Sequence, residues 1–571
     1  MDEVSIVLAG AAGQGIETVA DFMATVLKNT GYHVFATREF MSRIRGGTNS
    51  LQLRVSTKPR AAYRRRTDIM IPLNETAIPH LEKYSRLSDD TLVIGEDELV
   101  GARAKKHPEK TVVIRFTEIA KDVGGRIYSN TVAAGAVLSL FDVEHDTVYD
   151  YLTARFGSKG EKVVEQNKDA YHRGIEEGKK ALSNLLAVEM KPDPKIADDM
   201  LISGTDAVAM GVIAGGCNFI ASYPMSPSTG VLVFLSQQAK EFGIVVDQAE
   251  DEISAMNKGL GAWYAGARAM VTTSGGGFAL MSEGLSLAGI TETPMVIHLA
   301  QRPGPATGLP TRTEQGDLLH VIWTAHGDFP RIVLTPGTLE DGFYLTQKAF
   351  NLADKYQVPV FVLTDQYFVD SSSNTPVFNL ADVDVEKHVV KTEAGYQRYR
   401  LTDNGISPRG VPGHGEGLVC VDSDEHDEDG HITENLHVRV DMVEKRVMKK
   451  MQAIREDCIM PELVGSEDYS TLVVTWGSNY HVVREVIEKM DSSGISMLHF
   501  KQAYPLSEAV LEHFRHANRV VAIENNATGQ FAKVLQDQLG FIISSDDMLL
   551  KFNGLPFAVE EIEEFLSDYA R

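Results

Sequence analysis

The stretch Ser222-Tyr-Pro-Met-Ser-Pro-Ser-Thr-Gly230 places two prolines three residues apart, between an apolar run and a predicted helix. Each proline fixes its own φ and keeps the preceding residue out of the α region, so Tyr223 and Ser226 are extended and the turn is stiff. Ser228 or Thr229 can cap the following helix, whose free N–H groups attract anions. The pattern predicts a polar turn at the ligand edge of a parallel sheet. A well-capped loop without a ligand also fits these residues.

Short strands and helices alternate around this turn. We predict the following elements: helices 206–214 and 231–242, and strands 218–221, 245–248, 269–273, 295–299 and 358–363. This order is typical of a parallel sheet covered by helices on both faces. A separate alternation starts at residue 4, where a strand enters the glycine turn Gly10-Ala-Ala-Gly-Gln-Gly15 before a helix, and a third starts at residue 470. The chain is therefore predicted to be an α/β protein.

The predicted domain boundaries follow these alternations. We predict the following parts: an α/β domain at 1–188, a proline-containing linker at 189–200, a doubly wound parallel-sheet domain at 201–395, an extended connection at 396–465 and a smaller α/β domain at 466–571. A chain of 571 residues is expected to hold about two to four domains.

Composition narrows the class of protein. The net charge of −24 opposes nucleic-acid binding through the whole surface. Cys217, Cys420 and Cys458 lie far apart, so the spacing supports neither a disulfide framework nor an iron–sulfur or zinc site within the chain. No apolar run approaches the roughly 18 residues of a membrane span, and the first residues lack a basic leader. We expect a soluble, cytoplasmic protein.

Three adjacent acids, Glu250, Asp251 and Glu252, stand at a predicted helix start. Acids there ordinarily complement the helix dipole, which is the expected role of Glu250 and Asp251. Glu252 opens a helix dense in small residues, which permits close backbone approach and desolvates a carboxyl. Such a carboxyl can share a proton with a ring nitrogen.

The segment from Arg38 to Arg66 is locally basic. It holds nine Lys or Arg residues against Glu39 alone: Arg38, Arg43, Arg45, Arg54, Lys58, Arg60, Arg64, Arg65 and Arg66. This excess predicts an anionic ligand, such as a dicarboxylate or a coenzyme with phosphates. A solvated basic face is an equal alternative for Arg64 to Arg66.

Several motifs in one order resemble the α subunit of 2-oxoacid:ferredoxin oxidoreductases, most closely the 2-oxoglutarate type with its γ domain fused in front. They are Tyr223-Pro-Met-Ser-Pro-Ser228, Glu250-Asp-Glu-Ile-Ser-Ala-Met256, Thr273-Ser-Gly-Gly-Gly277, Gln301-Arg-Pro-Gly-Pro-Ala-Thr-Gly-Leu-Pro-Thr-Arg-Thr-Glu-Gln-Gly-Asp317 and Glu524-Asn-Asn-Ala-Thr-Gly-Gln530. The resemblance covers nearly the whole chain. It implies a γ-type domain, a thiamine-pyrimidine-binding domain and a transketolase-C-terminal-like domain.

The resemblance also implies roles for individual residues. Glu252 matches the glutamate that activates thiamine diphosphate, and Pro224 lies in the loop beside that cofactor. Tyr223, Ser226, Arg302 and Thr311 match positions around the 2-oxoacid, although Ser226 replaces the family's threonine. A planar guanidinium at Arg302 suits bidentate carboxylate binding. Arg45, before Gly46-Gly47, matches a basic position near the distal end of the substrate.

The implied reaction is oxidative decarboxylation of 2-oxoglutarate with coenzyme A to succinyl-CoA, CO2 and reduced ferredoxin, as in the tricarboxylic acid cycle or, reversed, in CO2 fixation. The chain contains no Gly-Asp-Gly segment. We therefore expect a β-type partner to supply the Mg2+ and diphosphate half of the site and a [4Fe-4S] cluster, in an (αβ)2 heterotetramer.

Three further motifs predict nothing specific. Gly10 to Gly15 matches neither a dinucleotide nor a Walker fingerprint. The run from Asp422 to Asp429 lacks the glycine of a calcium loop and is predicted to be a solvated acidic turn. His414, His426 and His431 are predicted to be exposed loop residues.

Alternative functions stay open at this point. A pyruvate or branched-chain 2-oxoacid enzyme would share the same cofactor loop. A ferredoxin-independent thiamine enzyme would use the same pyrimidine site, and a non-catalytic adaptor would use only the basic first domain.

Overall fold

The computed structural model describes residues 2–41, 47–185, 188–490 and 494–570. They form two compact units. The first holds residues up to 202 together with 371–377 and 558–560, and the second holds the remainder.

The elements that begin the chain are β1 (Glu3–Gly10), α1 (Ile16–Thr30), β2 (His33–Glu39), β3 (Asn49–Ser56), β4 (Ile69–Pro72), α2 (Ala77–Lys83), β5 (Leu92–Gly95), α3 (Asp97–Ala104), β6 (Thr111–Val113), α4 (Phe116–Val123), α5 (Ser129–Leu138), α6 (His145–Phe156), α7 (Glu161–Leu182) and β7 (Met200–Ser203). The elements that follow are α8 (Gly204–Ala214), β8 (Phe219–Ser222), α9 (Thr229–Phe242), β9 (Val245–Gln248), α10 (Glu252–Tyr264), β10 (Ala269–Thr273), α11 (Gly275–Leu280), α12 (Ser282–Ile290), β11 (Met295–Gln301), α13 (Leu318–Trp323), β12 (Ile332–Leu334), α14 (Leu339–Tyr356), β13 (Pro359–Asp365), α15 (Gln366–Asp370) and β14 (Ser372–Thr375). The chain ends with α16 (Leu436–Val443), α17 (Lys450–Glu456), β15 (Glu462–Val464), β16 (Thr471–Trp476), α18 (Tyr480–Lys489), β17 (Ile495–Phe500), β18 (Gln502–Tyr504), α19 (Leu511–His516), β19 (Arg519–Glu524), α20 (Gln530–Leu539), β20 (Met548–Leu550) and α21 (Val559–Ser567).

The first unit contains a mixed eight-stranded sheet in the order β6-β5-β4-β1-β3-β2-β14-β7. Strands β1, β4, β5 and β6 are parallel, whereas β3 and β2 run antiparallel to their neighbours. The late segment β14 pairs antiparallel with β2, with Ser372 opposite Ala36. This addition was absent from the sequence prediction, because a four-residue polar strand carries no apolar pattern.

The second unit contains two sheets that share one hydrophobic cluster. The larger has the order β18-β12-β13-β11-β10-β8-β9 and is parallel except for β18. The smaller has the order β15-β17-β16-β19-β20 and is parallel except for β15. The α/β class and the parallel sheet around the proline turn are therefore confirmed, while the domain limits predicted above stay predictions.

The predicted extended connection differs from the structure near its end, because α16, a π-helix (Glu444–Lys449) and α17 run without a break. The sequence did not predict this helix, because charged side chains occupy buried positions where apolar residues are expected. Lys445 and Lys450, each 1% exposed, both contact the buried carboxylate of Glu292, and Lys445 Nζ donates to Glu292 Oε1 at 2.5 Å. Burial of these paired charges fixes the helix where hydrophobic periodicity is weak.

The acidic turn is also less exposed than predicted. His426 is fully buried, its ring centroid lies 3.9 Å from that of Tyr399, and its Nδ1 lies 2.9 Å from the Asp424 carbonyl oxygen. The prediction of an exposed His426 was wrong because the turn folds over an aromatic ring. His414 and His431 are exposed, as predicted.

Candidate active site

The loops quoted from the sequence meet at one edge of the larger sheet of the second unit. Strands β8, β10, β11 and β13 are parallel neighbours, and their last residues are Ser222, Thr273, Gln301 and Asp365. Because parallel strands end at the same edge, the proline turn, the glycine run and the loop after Arg302 lie together there.

The proline turn is held from both ends. Ser222 Oγ donates to the Thr272 carbonyl oxygen at 2.6 Å, and the Ser226 carbonyl oxygen accepts from Arg302 Nη1 at 2.7 Å. Ser228, one of the two predicted caps, is the N-cap residue of α9, but its hydroxyl donates back to the Met225 carbonyl oxygen at 2.8 Å and does not cap the helix. The Ser226–Pro227 peptide is cis. Tyr223 stays 41% exposed above this turn.

The three acids before α10 have separate environments. Glu250 is exposed and pairs with Lys258 at 3.1 Å, while the Asp251 side chain caps α10 by accepting from the Ser254 N–H at 2.7 Å. These are the ordinary roles expected from the sequence. Glu252 is only 3% exposed, and its Oε1 is buried without a hydrogen-bond partner among the described residues. A buried acceptor without a partner costs about 1–3 kcal/mol, so this oxygen fits a ligand that donates to it.

The glycine run at the start of α11 faces this carboxyl. A Cβ at Gly277 would lie 2.7 Å from Glu252 Oε1 and 2.3 Å from Thr273 Oγ1, so a side chain there displaces both. At Gly276 the corresponding atom would lie 3.6 Å from the Ala306 carbonyl oxygen, in the loop after Arg302. The glycine run therefore lies between Glu252 and the Arg302 loop.

Arg302 follows β11 and is partly buried. Its Nη1 donates to the proline turn, while its Nε is buried without a hydrogen-bond partner in the part of the chain that the structure describes. Burial lowers the pKa of Arg302, and the nearby Asp317 carboxyl opposes that shift. The structure thus brings Arg302 and Ser226 together, with a further donor still available for an anion.

Asp317 is a site residue that the sequence reasoning missed. A Cβ at Gly275 would lie 2.4 Å from Asp317 Oδ2 and 2.5 Å from Oδ1, which places the carboxyl against the glycine run. Burial, and then Glu314, raise its pKa to about 7, while Arg302 opposes the shift. An acid before a helix is normally taken for a cap, so the sequence carried only a weak signal.

A buried histidine ties the strands under the site. His298, in the middle of β11, contacts Thr272 Oγ1 of β10 through Nδ1 at 2.8 Å and Thr364 Oγ1 of β13 through Nε2 at 2.9 Å. Burial lowers the pKa of His298 to about 3. The neutral ring therefore links three neighbouring strands directly below the loops.

The quoted motif at Glu524 has a structural role. The Glu524 carboxylate accepts from the N–H groups of Phe531 at 2.8 Å and Ala532 at 3.0 Å, and from Asn526 Nδ2 at 2.8 Å. These bonds fix the start of α20.

The remaining predicted positions are less defined. Pro224 and Thr311 are partly buried in the two site loops, and the contacts above do not involve Thr311. Arg45 lies outside the described residues, as does Arg43. Among the described residues, no group of three or more His, Cys, Asp or Glu is placed to hold a metal ion. No helix of the described chain is long and apolar enough to cross a membrane.

Several arginines of the basic segment pair with acidic residues, which the sequence did not indicate. Arg54 is 1% exposed and pairs with Glu3 at 2.6 Å, Arg64 contacts Glu3 and Glu560, and Arg66 pairs with Asp68 at 3.0 Å. Glu3 and Glu560 lie far from the basic segment in the sequence and Asp68 lies just beyond its end, so a count of charge within residues 38–66 does not include them. Arg64 and Arg66 therefore each have an acidic partner within the chain, and an anion site at the basic segment stays a prediction.

Known proteins share long stretches of this sequence. Residues 210–445 match the family model described as pyruvate flavodoxin/ferredoxin oxidoreductase, thiamine diphosphate-binding, and residues 5–177 match pyruvate ferredoxin/flavodoxin oxidoreductase. The α subunit of 2-oxoacid:ferredoxin oxidoreductase 1 from Aeropyrum pernix is 31% identical over 100% of this chain and 98% of its own. A 2-oxoglutarate synthase subunit KorA from Archaeoglobus fulgidus is 33% identical over 59% of this chain and 90% of its own.

Among solved structures, the 2-oxoglutarate:ferredoxin oxidoreductase from Magnetococcus marinus, with 2-oxoglutarate, coenzyme A and succinyl-CoA bound, matches with a TM-score of 0.90. The two are 30% identical, and the match covers 100% of both chains. These matches define an oxidoreductase with a thiamine diphosphate-binding domain. The chain belongs to the 2-oxoacid:ferredoxin oxidoreductases, as an α subunit.

Proposed function

We propose that this chain is the α subunit of a cytoplasmic 2-oxoglutarate:ferredoxin oxidoreductase, which converts 2-oxoglutarate and coenzyme A to succinyl-CoA and CO2 and passes two electrons to ferredoxin. The observation that carries the proposal is the buried Glu252 Oε1, which has no hydrogen-bond partner among the described residues and lies on the same sheet edge as Arg302. The 2-oxoglutarate named for the Archaeoglobus and Magnetococcus relatives supports the choice of substrate.

The residues around Glu252 fit the pyrimidine half of thiamine diphosphate. Glu252 Oε1 can accept a hydrogen bond from a protonated ring nitrogen, and Gly277 leaves the adjoining space free of a side chain. When bound, the cofactor supplies the carbon nucleophile for the 2-oxo carbon and the electron sink for decarboxylation. Within this chain, Glu252 holds the shared proton, while the buried packing of α10 excludes water from it.

Arg302 is the proposed holder of the substrate carboxylate, with the proline turn fixing its direction through Ser226. Tyr223 and Thr311 are proposed to line the same space, and Pro224 to border the cofactor. Arg45 is proposed to pair with the distal carboxylate of 2-oxoglutarate, which a monocarboxylate lacks.

A β-type partner completes the proposed site. We propose that it binds the diphosphate through Mg2+ and carries the [4Fe-4S] cluster, in an (αβ)2 assembly. Exposed apolar side chains flank the sheet edge and offer a surface for such a partner: Tyr223, Ile253, Leu280 and Leu309. A role in the tricarboxylic acid cycle or in CO2 fixation follows from the direction in which the complex runs.

The test is 2-oxoacid-dependent dye reduction by the reconstituted two-chain complex, using Glu252→Gln with Glu250→Gln as the matched control. Loss of proton sharing at Glu252 should lower kcat at least 100-fold, because general acid–base contributions are about 10²–10⁴-fold. The exposed Glu250 should tolerate the same change within about twofold. Equal activity in the two variants would reject the assignment of Glu252.

A substrate panel decides between the 2-oxoacid classes. The wild-type complex should give a kcat/KM for 2-oxoglutarate at least 10-fold above pyruvate and branched-chain 2-oxoacids. A preference for a monocarboxylate would replace 2-oxoglutarate in the proposal, and a colourless complex without ferredoxin reduction would favour a ferredoxin-independent thiamine enzyme.

A further inference from the structure

Asp317 has the sequence position of a helix cap but does not act as one. It immediately precedes α13, yet its side chain makes no capping hydrogen bond, and no described residue is a hydrogen-bond partner of its buried Oδ2. Its backbone N–H donates to Gln301 Oε1 at 2.9 Å, which anchors it beside the strand end that carries Arg302. The fold therefore holds an unused carboxyl beside the proposed carboxylate-binding residue.

Within the part of the chain that the structure describes, few groups face the Asp317 carboxyl. Arg302 and Glu314 are its charged neighbours, from the loop that joins β11 to α13. Across from it, α11 contributes Gly275, and that helix contains no ionisable residue. From α20, Gln530 is neutral and binds the Gly316 carbonyl oxygen at 2.7 Å and the Leu319 N–H at 3.0 Å. On α13 itself, His320 contacts Thr324 Oγ1 at 2.7 Å.

The opposing effects of these groups place the pKa of Asp317 near neutral pH. Burial and Glu314 favour the neutral acid, Arg302 favours the anion, and the resulting pKa is about 7. Burial also raises the pKa of Glu314. A substrate carboxylate placed on Arg302 adds a negative charge near Asp317 and so favours its neutral form further.

We infer that the protonation state of Asp317 controls whether the Arg302 guanidinium is available to the substrate. Asp317 therefore takes up a proton when a 2-oxoacid carboxylate binds. Ionised Asp317 competes with the substrate for the guanidinium, and neutral Asp317 leaves it free. Asp317 is thus a positioning and specificity residue for the carboxylate, an inference that rests on the proposed role of Arg302. By linkage, the affinity for the carboxylate falls as pH rises above about 7, by up to about tenfold per unit.

The test follows KM for 2-oxoglutarate from pH 6 to 9 in the reconstituted complex, for the wild type and Asp317→Asn. The wild-type KM should rise by about tenfold per pH unit above about 7, whereas the asparagine, which cannot ionise, should give a KM that varies less than threefold. At pH 8.5 the variant should bind glutarate, a dicarboxylate without the reactive carbonyl, about 10-fold more tightly than the wild type. Calorimetry with glutarate in two buffers of different ionisation enthalpy should show proton uptake in the wild type and none in Asp317→Asn.

Glu314→Gln is the matched control on the same loop. Removal of its charge lowers the pKa of Asp317, so the rise in KM should persist but begin at lower pH. This variant also tests the inference if Asp317→Asn fails to fold. An unchanged KM profile and unchanged proton uptake in Asp317→Asn, or an unshifted profile in Glu314→Gln, would overturn the inference while leaving an active wild type and the proposed function intact. A wild-type complex that neither turns over 2-oxoacids nor binds glutarate would instead reject the proposed function.

Discussion

The variant Gly277→Ala tests the space beside Glu252 directly. Its Cβ would lie 2.7 Å from Glu252 Oε1 and 2.3 Å from Thr273 Oγ1, whereas ordinary contacts begin at 3.4 Å. The carboxyl oxygen must therefore move by about 0.7 Å and the hydroxyl by about 1 Å. A displacement near 1 Å in a catalytic group costs up to about 100-fold in rate.

The expected effect on stability is much smaller. Overpacking costs about 1–3 kcal/mol, and alanine regains up to about 1 kcal/mol of helix propensity within α11. The variant should therefore fold with a net loss of about 0–2 kcal/mol while the site is displaced. In the reconstituted complex, 2-oxoacid-dependent dye reduction should fall about 10- to 100-fold, with a raised requirement for thiamine diphosphate.

Gly261→Ala is the control for this change. Gly261 lies in α10, the helix that Glu252 begins, and a Cβ there would meet nothing within 4 Å. It should gain slightly in stability and keep its activity. If Gly277→Ala kept activity within about threefold of Gly261→Ala at saturating thiamine diphosphate, the assignment of this space to the cofactor would be refuted.

Two other predictions concern buried charge and pH. Glu292→Gln leaves Lys445 and Lys450 facing each other without their acid, so urea unfolding should show a loss of about 3–5 kcal/mol, whereas Lys450→Met leaves the Glu292–Lys445 pair intact and should cost clearly less. An equal or greater loss in Lys450→Met would contradict the pairing. The buried His298 has a pKa of about 3, below that of the unfolded chain, so its contribution to stability is present above about pH 6.5 and is lost as pH falls towards 3. His298→Gln should flatten that part of the urea-midpoint profile from pH 7 to 4, and an unchanged slope would exclude His298 as its source.

Much of the fold and part of the site follow from the sequence. Alternating apolar strands and helices predicted the parallel sheet, and the proline turn and Glu252 fall at its edge as expected. The burial of Asp317 against Gly275 and of His426 against Tyr399 was missed, because it depends on how separate segments pack and not on a local sequence pattern. Ion pairs between distant residues are missed for the same reason. Arg64 pairs with Glu560, near the other end of the chain, and a count of local charge does not reveal this pair.

The pairing of β14 with β2 limits how this chain can be divided. A fragment that stops at residue 202 lacks the strand between β2 and β7, although every earlier strand of its sheet is present. Strand β2 would then be an exposed edge strand, whose unpaired backbone N–H and C=O groups can pair with strands of other molecules, and such edges promote aggregation. Production of this unit as a separate soluble piece should therefore require a graft that supplies residues 371–377.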